Sequence, residues 1–233
     1  MNIRKIYCLP FFSLGMLAAV SGQGFPSDSS AELSYFGRAS VKIKTVSGFV
    51  IYIDPYSPGD YHEPADLVLV THGHGDHNKV SLITKKPGTI VAAPAGAVPG
   101  SGVRVVAEGE DFSVGPVRVH VMPAANKNHD RKSNRGYMIS FDGLTIYHAG
   151  DTSFLPEMTG YVQYGISYAL LPCDGFYNMG AEEASRCAEA MQAKRVLPIH
   201  SSKDTPFNQE NAAAVRGREV IVLRPGEILG LEK

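Results

Sequence analysis

Residues 66–77 read Asp66-Leu67-Val68-Leu69-Val70-Thr71-His72-Gly73-His74-Gly75-Asp76-His77. The first half is a nearly unbroken apolar run, the pattern of a short strand buried on both faces of a sheet. The run stops at Thr71, and three histidines and an aspartate follow within six positions. Ligands in α/β proteins gather just past the carboxyl ends of such strands. In an extended segment His72 and His74 project the same way, so both imidazoles reach one ion. Asp76 and His77 come as the chain turns and aim at a neighbouring position. Gly73 and Gly75 remove side chains that would crowd the loop and permit unusual backbone dihedrals. Three imidazoles and a carboxylate form a borderline-to-hard donor set, suited to Zn, Mn or Fe(II) and poorly suited to Ca.

Other strands are expected on either side of this run. Leu33–Phe36, Val41–Lys44 and Phe49–Ile53 alternate or run apolar, with glycine-containing breaks between them. Further strands are predicted at Ile90–Ala93, Val103–Val106, Val117–Met122, Tyr137–Phe141, Leu144–His148, Tyr168–Leu171, Arg195–Ile199 and Val220–Leu223. Asp142-Gly143 between two of them is a two-residue hairpin signal. Helices are fewer. Ala181–Ala193 is rich in Ala and Glu, and Glu182 and Glu183 suit the positive end of its dipole. Shorter helices are expected over Lys79–Lys85 and Asn208–Val215. The pattern is α/β, and no repeat or linker divides residues 30–233, which read as one domain.

The 233 residues are 44% hydrophobic, enough for a sizeable single core. With 22 basic and 23 acidic residues no global field attracts nucleic acid or an anionic membrane, so a small-molecule substrate is expected instead. The N-terminus reads differently. A basic start, Met1-Asn2-Ile3-Arg4-Lys5, precedes the apolar run Ile6–Val20, and Ser21-Gly22-Gln23-Gly24 supplies small residues for cleavage. This is the layout of a secretory signal peptide over residues 1–22, which would send the chain to the periplasm or outside the cell without a lasting membrane span. Past that segment only Cys173 and Cys187 remain, read as two small buried residues rather than a bridge.

Three more segments bear on the chemistry: Tyr52-Ile53-Asp54-Pro55, Tyr147-His148-Ala149-Gly150-Asp151-Thr152 and Pro198-Ile199-His200. Together with the His-x-His-x-Asp-His string, and over essentially the whole chain from Glu32 on, they resemble the metallo-β-lactamase superfamily. Order and spacing resemble the branch of metal-dependent hydrolases that includes ascorbate-phosphate lactonases. The resemblance implies a four-layer αββα sandwich with a dinuclear site at one edge of the two sheets. It assigns His72 and His74 to one divalent ion, Asp76, His77 and His200 to the other, and Asp151 to the position between both. A carboxylate there has two oxygens, and its charge offsets repulsion between cations. Zn is the expected metal, with Mn or Fe as alternatives.

The last ligand of the first metal is open. Many relatives have a histidine close to where this chain has Asn126; here the segment runs Asn126-Lys127-Asn128-His129. His129 is the expected ligand, with Asn126 or water as the alternative. The family places an acid beneath the site, which makes Asp54 a supporting residue, and His148, three residues before Asp151, either orients a ligand or is a buried hydrogen-bonded histidine. His62 and His120 read as solvent-facing or layer-facing. The segment Leu171–Gly180 follows another strand and is expected to border the cleft. Relatives often have a small residue near Asp174, so Cys173, Asp174 and Tyr177 are read either as tuning substrate choice or as loop packing, and none as catalytic.

The chemistry implied is hydrolysis by metal-ionised water attacking a carbonyl or phosphorus centre, with Asp76 orienting that water and taking its proton. No G-x-S-x-G nucleophile elbow or phosphate-cradling loop is present. A small ester, lactone or phosphodiester is the expected substrate class. The competing readings are a non-catalytic metal-binding or sensing protein and a di-iron redox enzyme, and metal analysis with a substrate panel separates them.

Overall fold

Alternation along the first strands decides which residues face inward. Within Ser40–Lys44 the apolar Val41 and Ile43 are buried, while Lys42 and Lys44 turn outward and both reach Glu63, at 3.1 and 2.6 Å. The same two-residue period sends Ile51, Ile53, Leu67 and Leu69 to one side of their sheet and Tyr52, Val68 and Val70 to the other. The structure, a computed structural model, describes residues 30–233; the expected signal peptide lies outside them.

Two sheets result. The first holds β1 (Glu32–Gly37), β2 (Ser40–Lys44), β3 (Val50–Ile53), β4 (Ala65–Leu69), β5 (Lys85–Ala93) and β6 (Val103–Val105), in that spatial order. The second holds β7 (Asp111–Val114), β8 (Val117–Pro123), β9 (Arg135–Phe141), β10 (Leu144–His148), β11 (Tyr168–Pro172) and β12 (Arg195–Ile199), likewise in order. A last strand, β13 (Ile228–Gly230), returns to pair with β1 in the first sheet. β4 lies between β3 and β5, parallel to both, which is why its run is apolar on both faces.

The inner faces meet in one core, where Leu33, Ile43, Ile51 and Leu67 pack with Val119, Tyr137, Ile146 and Leu170. On the outer face of the second sheet, Tyr147, Ala169 and Leu171 pack with Ala184, Cys187 and Ala188 of α1 (Ala181–Ala190). On the outer face of the first, Tyr52, Val68 and Val91 are covered by Tyr61, Val80 and Ile83. The expected α/β four-layer sandwich is therefore formed, with a thin outer layer over the first sheet. Cys173 and Cys187 are buried and free, as read.

Several elements differ from expectation. Lys79–Lys85 is not a helix: one 3-10 turn, Val80–Leu82, buries Val80 and Ile83 before Lys85 joins the sheet opposite Ala65. Val220–Leu223 forms only a single bridge to Val196. β7, β13 and a 3-10 stretch at Pro156–Tyr164 carried no clear period in the sequence. The Asp142-Gly143 hairpin is present, both residues having positive φ of 50° and 76°, as a type I′ turn requires. The Asn208 side chain caps α2 (Gln209–Ala214) by accepting the Asn211 N–H at 3.0 Å.

Candidate metal centre

The carboxyl ends of β3, β4, β10 and β12 supply Asp54, the His72–His77 loop, Asp151 and His200 to one edge of the sandwich. His129 joins them from the turn after β8, where Asn126 and His129 form a small antiparallel bridge. Donor atoms of His72, His74 and His129 lie within 4.8 Å of one another, as do those of Asp76, His77 and His200. In the first group His74 Nδ1 is 3.1 Å from His72 Nε2 and 3.2 Å from His129 Nε2. Bonds of about 2.05 Å in a tetrahedron set neighbouring donors about 3.3 Å apart, so this triangle fits a Zn-sized ion. Between the groups stands Asp151. Its Oδ2 is 3.4 Å from His129 Nε2, 3.5 Å from His77 Nε2 and 3.6 Å from His200 Nε2.

Asp54, fully buried, arranges two of these rings from beneath. Its Oδ1 accepts the Thr71 N–H at 2.8 Å; its Oδ2 accepts the Thr71 hydroxyl at 2.7 Å and the His77 Nδ1–H at 2.8 Å. With its proton given to Asp54, the Thr71 oxygen accepts from His72 Nδ1 at 3.0 Å. Both imidazoles are thus held as Nδ1–H tautomers with Nε2 lone pairs free to ligate. Asp54 and His200 adopt left-handed φ values of 48° and 42°. Such non-glycine conformations cost about 1–3 kcal/mol each and persist where surrounding contacts impose them. For His200 those contacts include its N–H, donated to the Arg38 carbonyl at 2.7 Å.

Electrostatics follow from this crowding. Burial, helped by the neighbouring His77 charge, pushes His72 down to about 3. Burial also opposes charge on His77, but Asp151 and Asp54 outweigh it and hold that ring well above its ordinary range. At His200 burial is outweighed by Asp151, Asp174 and Asp76, which push the ring up to about 9. Burial disfavours ionised Asp151, yet His200 and His77 hold its carboxyl well below the usual range. Among the described residues, His77 Nε2, both ring nitrogens of His200 and Asp151 Oδ1 are buried without a hydrogen-bond partner. Buried polar atoms are rarely left unpaired, and the Nε2 atoms of His77 and His200, 3.5 and 3.6 Å from Asp151 Oδ2, fit a cation that their own protons only partly replace, while His200 Nδ1 faces Asp174.

All seven proposed ligands thus come together: His72, His74, Asp76, His77, His129, Asp151 and His200. Asn126 does not face the cluster; its Oδ1 accepts from His129 Nδ1 at 2.9 Å. His148 is a buried, hydrogen-bonded histidine: its Nε2 donates to the Ala39 carbonyl and its Nδ1 accepts the Gly150 N–H, both backbone groups. His62 is exposed, and His120 pairs with Asp111 at 3.2 Å, outside the cluster. The reading of the motif glycines needs correction, because neither Gly73 nor Gly75 has a positive φ. Gly73 permits a close approach: a Cβ there would sit 3.3 Å from Ala97 Cα, close enough that the neighbour would have to shift slightly, whereas Gly75 has open space. Arg38 was not singled out from sequence. Its guanidinium lies 3.9 Å from Asp76 Oδ2 and donates to the carbonyls of Ser202 and Lys203.

A two-sheet sandwich with histidine and aspartate donors gathered at its strand ends is a scaffold built around a candidate metal site. The profile of the beta-lactamase superfamily domain matches residues 32–200. A UPF0173 metal-dependent hydrolase of Pyrococcus furiosus is 32% identical over 229 residues, covering 86% of this chain and 99% of that protein. A crystal structure from Parabacteroides distasonis superposes with a TM-score of 0.71 at 30% identity, over 85% of this chain and 96% of the other. Igni18, a metallo hydrolase of Ignicoccus hospitalis, gives 0.69 at 25% identity over 88% and 99%. The chain belongs to the metallo-β-lactamase superfamily and is one of its metal-dependent hydrolases.

Proposed function

We propose that His72, His74 and His129 hold one divalent ion, that Asp76, His77 and His200 hold a second, and that Asp151 lies between them. The observation that carries this reading is the single Asp151 oxygen set 3.4–3.6 Å from histidines of both groups. The imidazole-rich donor set favours Zn, with Mn or Fe as alternatives. Bound there, such ions lower the pKa of water toward neutrality and polarise the bond under attack.

The chain's own residues do the rest. Asp54 keeps the His72 and His77 lone pairs turned inward. Asp76, the one carboxylate of the cluster with substantial exposure (30%), is placed to orient the attacking water and accept its proton. A cavity of about 440 Å³ opens beside His72, His74 and His129, walled by Ala97, Asn128 and Asn134. That volume suits a small ester, lactone or phosphodiester.

Purified protein is expected to hold two equivalents of transition metal by mass spectrometry and to hydrolyse members of a panel of those three classes. His72→Ala should lower both metal content and turnover by at least tenfold. Protein that holds no transition metal, with His72→Ala as active as wild type, overturns the reading.

A further inference from the structure

The two histidines supplied from outside the motif are both steered by one loop. Residues 174–178 close on the Asp174 carboxylate, whose Oδ1 accepts the N–H groups of Phe176, Tyr177 and Asn178 at 2.7, 2.6 and 3.2 Å. Asp174 Oδ2 accepts from Asn178 Nδ2 at 2.9 Å and lies 3.2 Å from His200 Nδ1, at an angle short of a hydrogen bond. Asn178 Oδ1 accepts from Asn126 Nδ2 at 2.9 Å, and Asn126 Oδ1 accepts from His129 Nδ1 at 2.9 Å. The contacts run unbroken from His200 through Asp174, Asn178 and Asn126 to His129.

The direction of the chain is fixed by one backbone group. The Asn128 N–H donates to Asn126 at 2.8 Å, so the oxygen of that amide must point there and toward His129. Its NH₂ then faces Asn178, which must answer with oxygen and turn its own NH₂ to Asp174. The Asp174 carboxylate accepts from Asn178 and also attracts the His200 Nδ1–H. Both rings are thereby driven to the Nδ1–H tautomer, leaving Nε2 of each as a donor toward the metal positions. Asn178 and Asp174 are each only 8% exposed, so water competes poorly for these contacts.

We propose that Asn178 is a positioning residue shared by both half-sites: one side chain holds Asn126 and Asp174 in place, and through them the aim of His129 and of His200. This rests on the two-ion reading above. The test is stepwise Zn²⁺ binding to metal-stripped protein, by competition with a chelating indicator, with Co²⁺ absorption spectra alongside. Asn178→Leu is expected to weaken both steps about tenfold. Asn126→Leu should weaken only one step and Asp174→Asn only the other. In Asp174→Asn the side-chain oxygen still closes the loop while its NH₂ faces His200 and favours the non-ligating tautomer. A loop that merely collapses would weaken both steps in all three variants, and that pattern overturns the proposal. So do affinities for Asn178→Leu within twofold of wild type, or a loss confined to one step. If Asn178→Leu does not fold, Asn178→Asp decides. It keeps the acceptor for Asn126 but loses the donor to Asp174, and should weaken only the Asp174-dependent step. Wild-type protein that takes up no Zn²⁺ would instead refute the two-ion reading itself.

Discussion

Asp54 shows how much one buried side chain organises. It accepts three hydrogen bonds, two from Thr71 and one from His77, with no exposed surface. Replacing it by alanine strands those donors and takes from His77 one of its two counter-charges, leaving only Asp151. Asp54→Ala is expected to lose about 3–5 kcal/mol in urea denaturation, as when one partner of a buried pair is removed. Asp54→Asn should lose less stability but bind metal about tenfold or more weakly, since an amide cannot satisfy all three donors. Equal stability for Asp54→Ala and wild type would contradict this. At this scale the sequence was legible where candidate ligands were dense: His72 to His77 stand out by spacing alone, and the fold brings them together. His129 was distinguishable from Asn126 only through the bridge that folds one back on the other. Arg38 left no trace, because it meets Asp76 only after the turn between β1 and β2 is laid beside the motif.

Among the elements, the turn from β10 into Asp151 is the tightest. Gly150 has a φ of +63°, and a Cβ there would come within 2.5 Å of the Arg135 carbonyl and 3.1 Å of the Thr71 side chain. Gly165 has nearly the same φ, +59°, with nothing within 4 Å. The pair separates backbone strain from steric overlap. Gly165→Ala should cost about 1 kcal/mol, the left-handed penalty alone. Gly150→Ala should cost more than twice that in the same denaturation experiment, and equal losses would refute the steric argument. Element type could be read wherever the apolar period was complete, as in β4, in α1 and across the Asp142-Gly143 hairpin. It failed where tertiary pairing overrode local pattern. Lys85, expected to end a helix, instead begins a strand five residues before the expected start at Ile90, because it pairs with Ala65. Val220–Leu223 looks like a strand but meets its neighbour at only one residue.

Over the whole molecule, the two sheets depend on each other at the site edge. His72, His74, Asp76 and His77 follow a strand of the first sheet, whereas His129, Asp151 and His200 follow strands of the second. The Arg38 carbonyl, from a turn of the first sheet, also holds the backbone N–H of His200. Each proposed ion would therefore be a stitch across the seam, with ligands sewn in from both sides. Segments far apart in sequence must already be juxtaposed before such a stitch can form, so it arrives after the main folding barrier. Its effect belongs to the unfolding rate. Stripping the metal with a chelator is expected to speed unfolding in urea-jump experiments by at least tenfold, while refolding in chelator proceeds at an unchanged rate. A molecule sewn shut in this way would be guarded against partial opening and proteolysis by its cofactors, quite apart from any substrate they help to cleave.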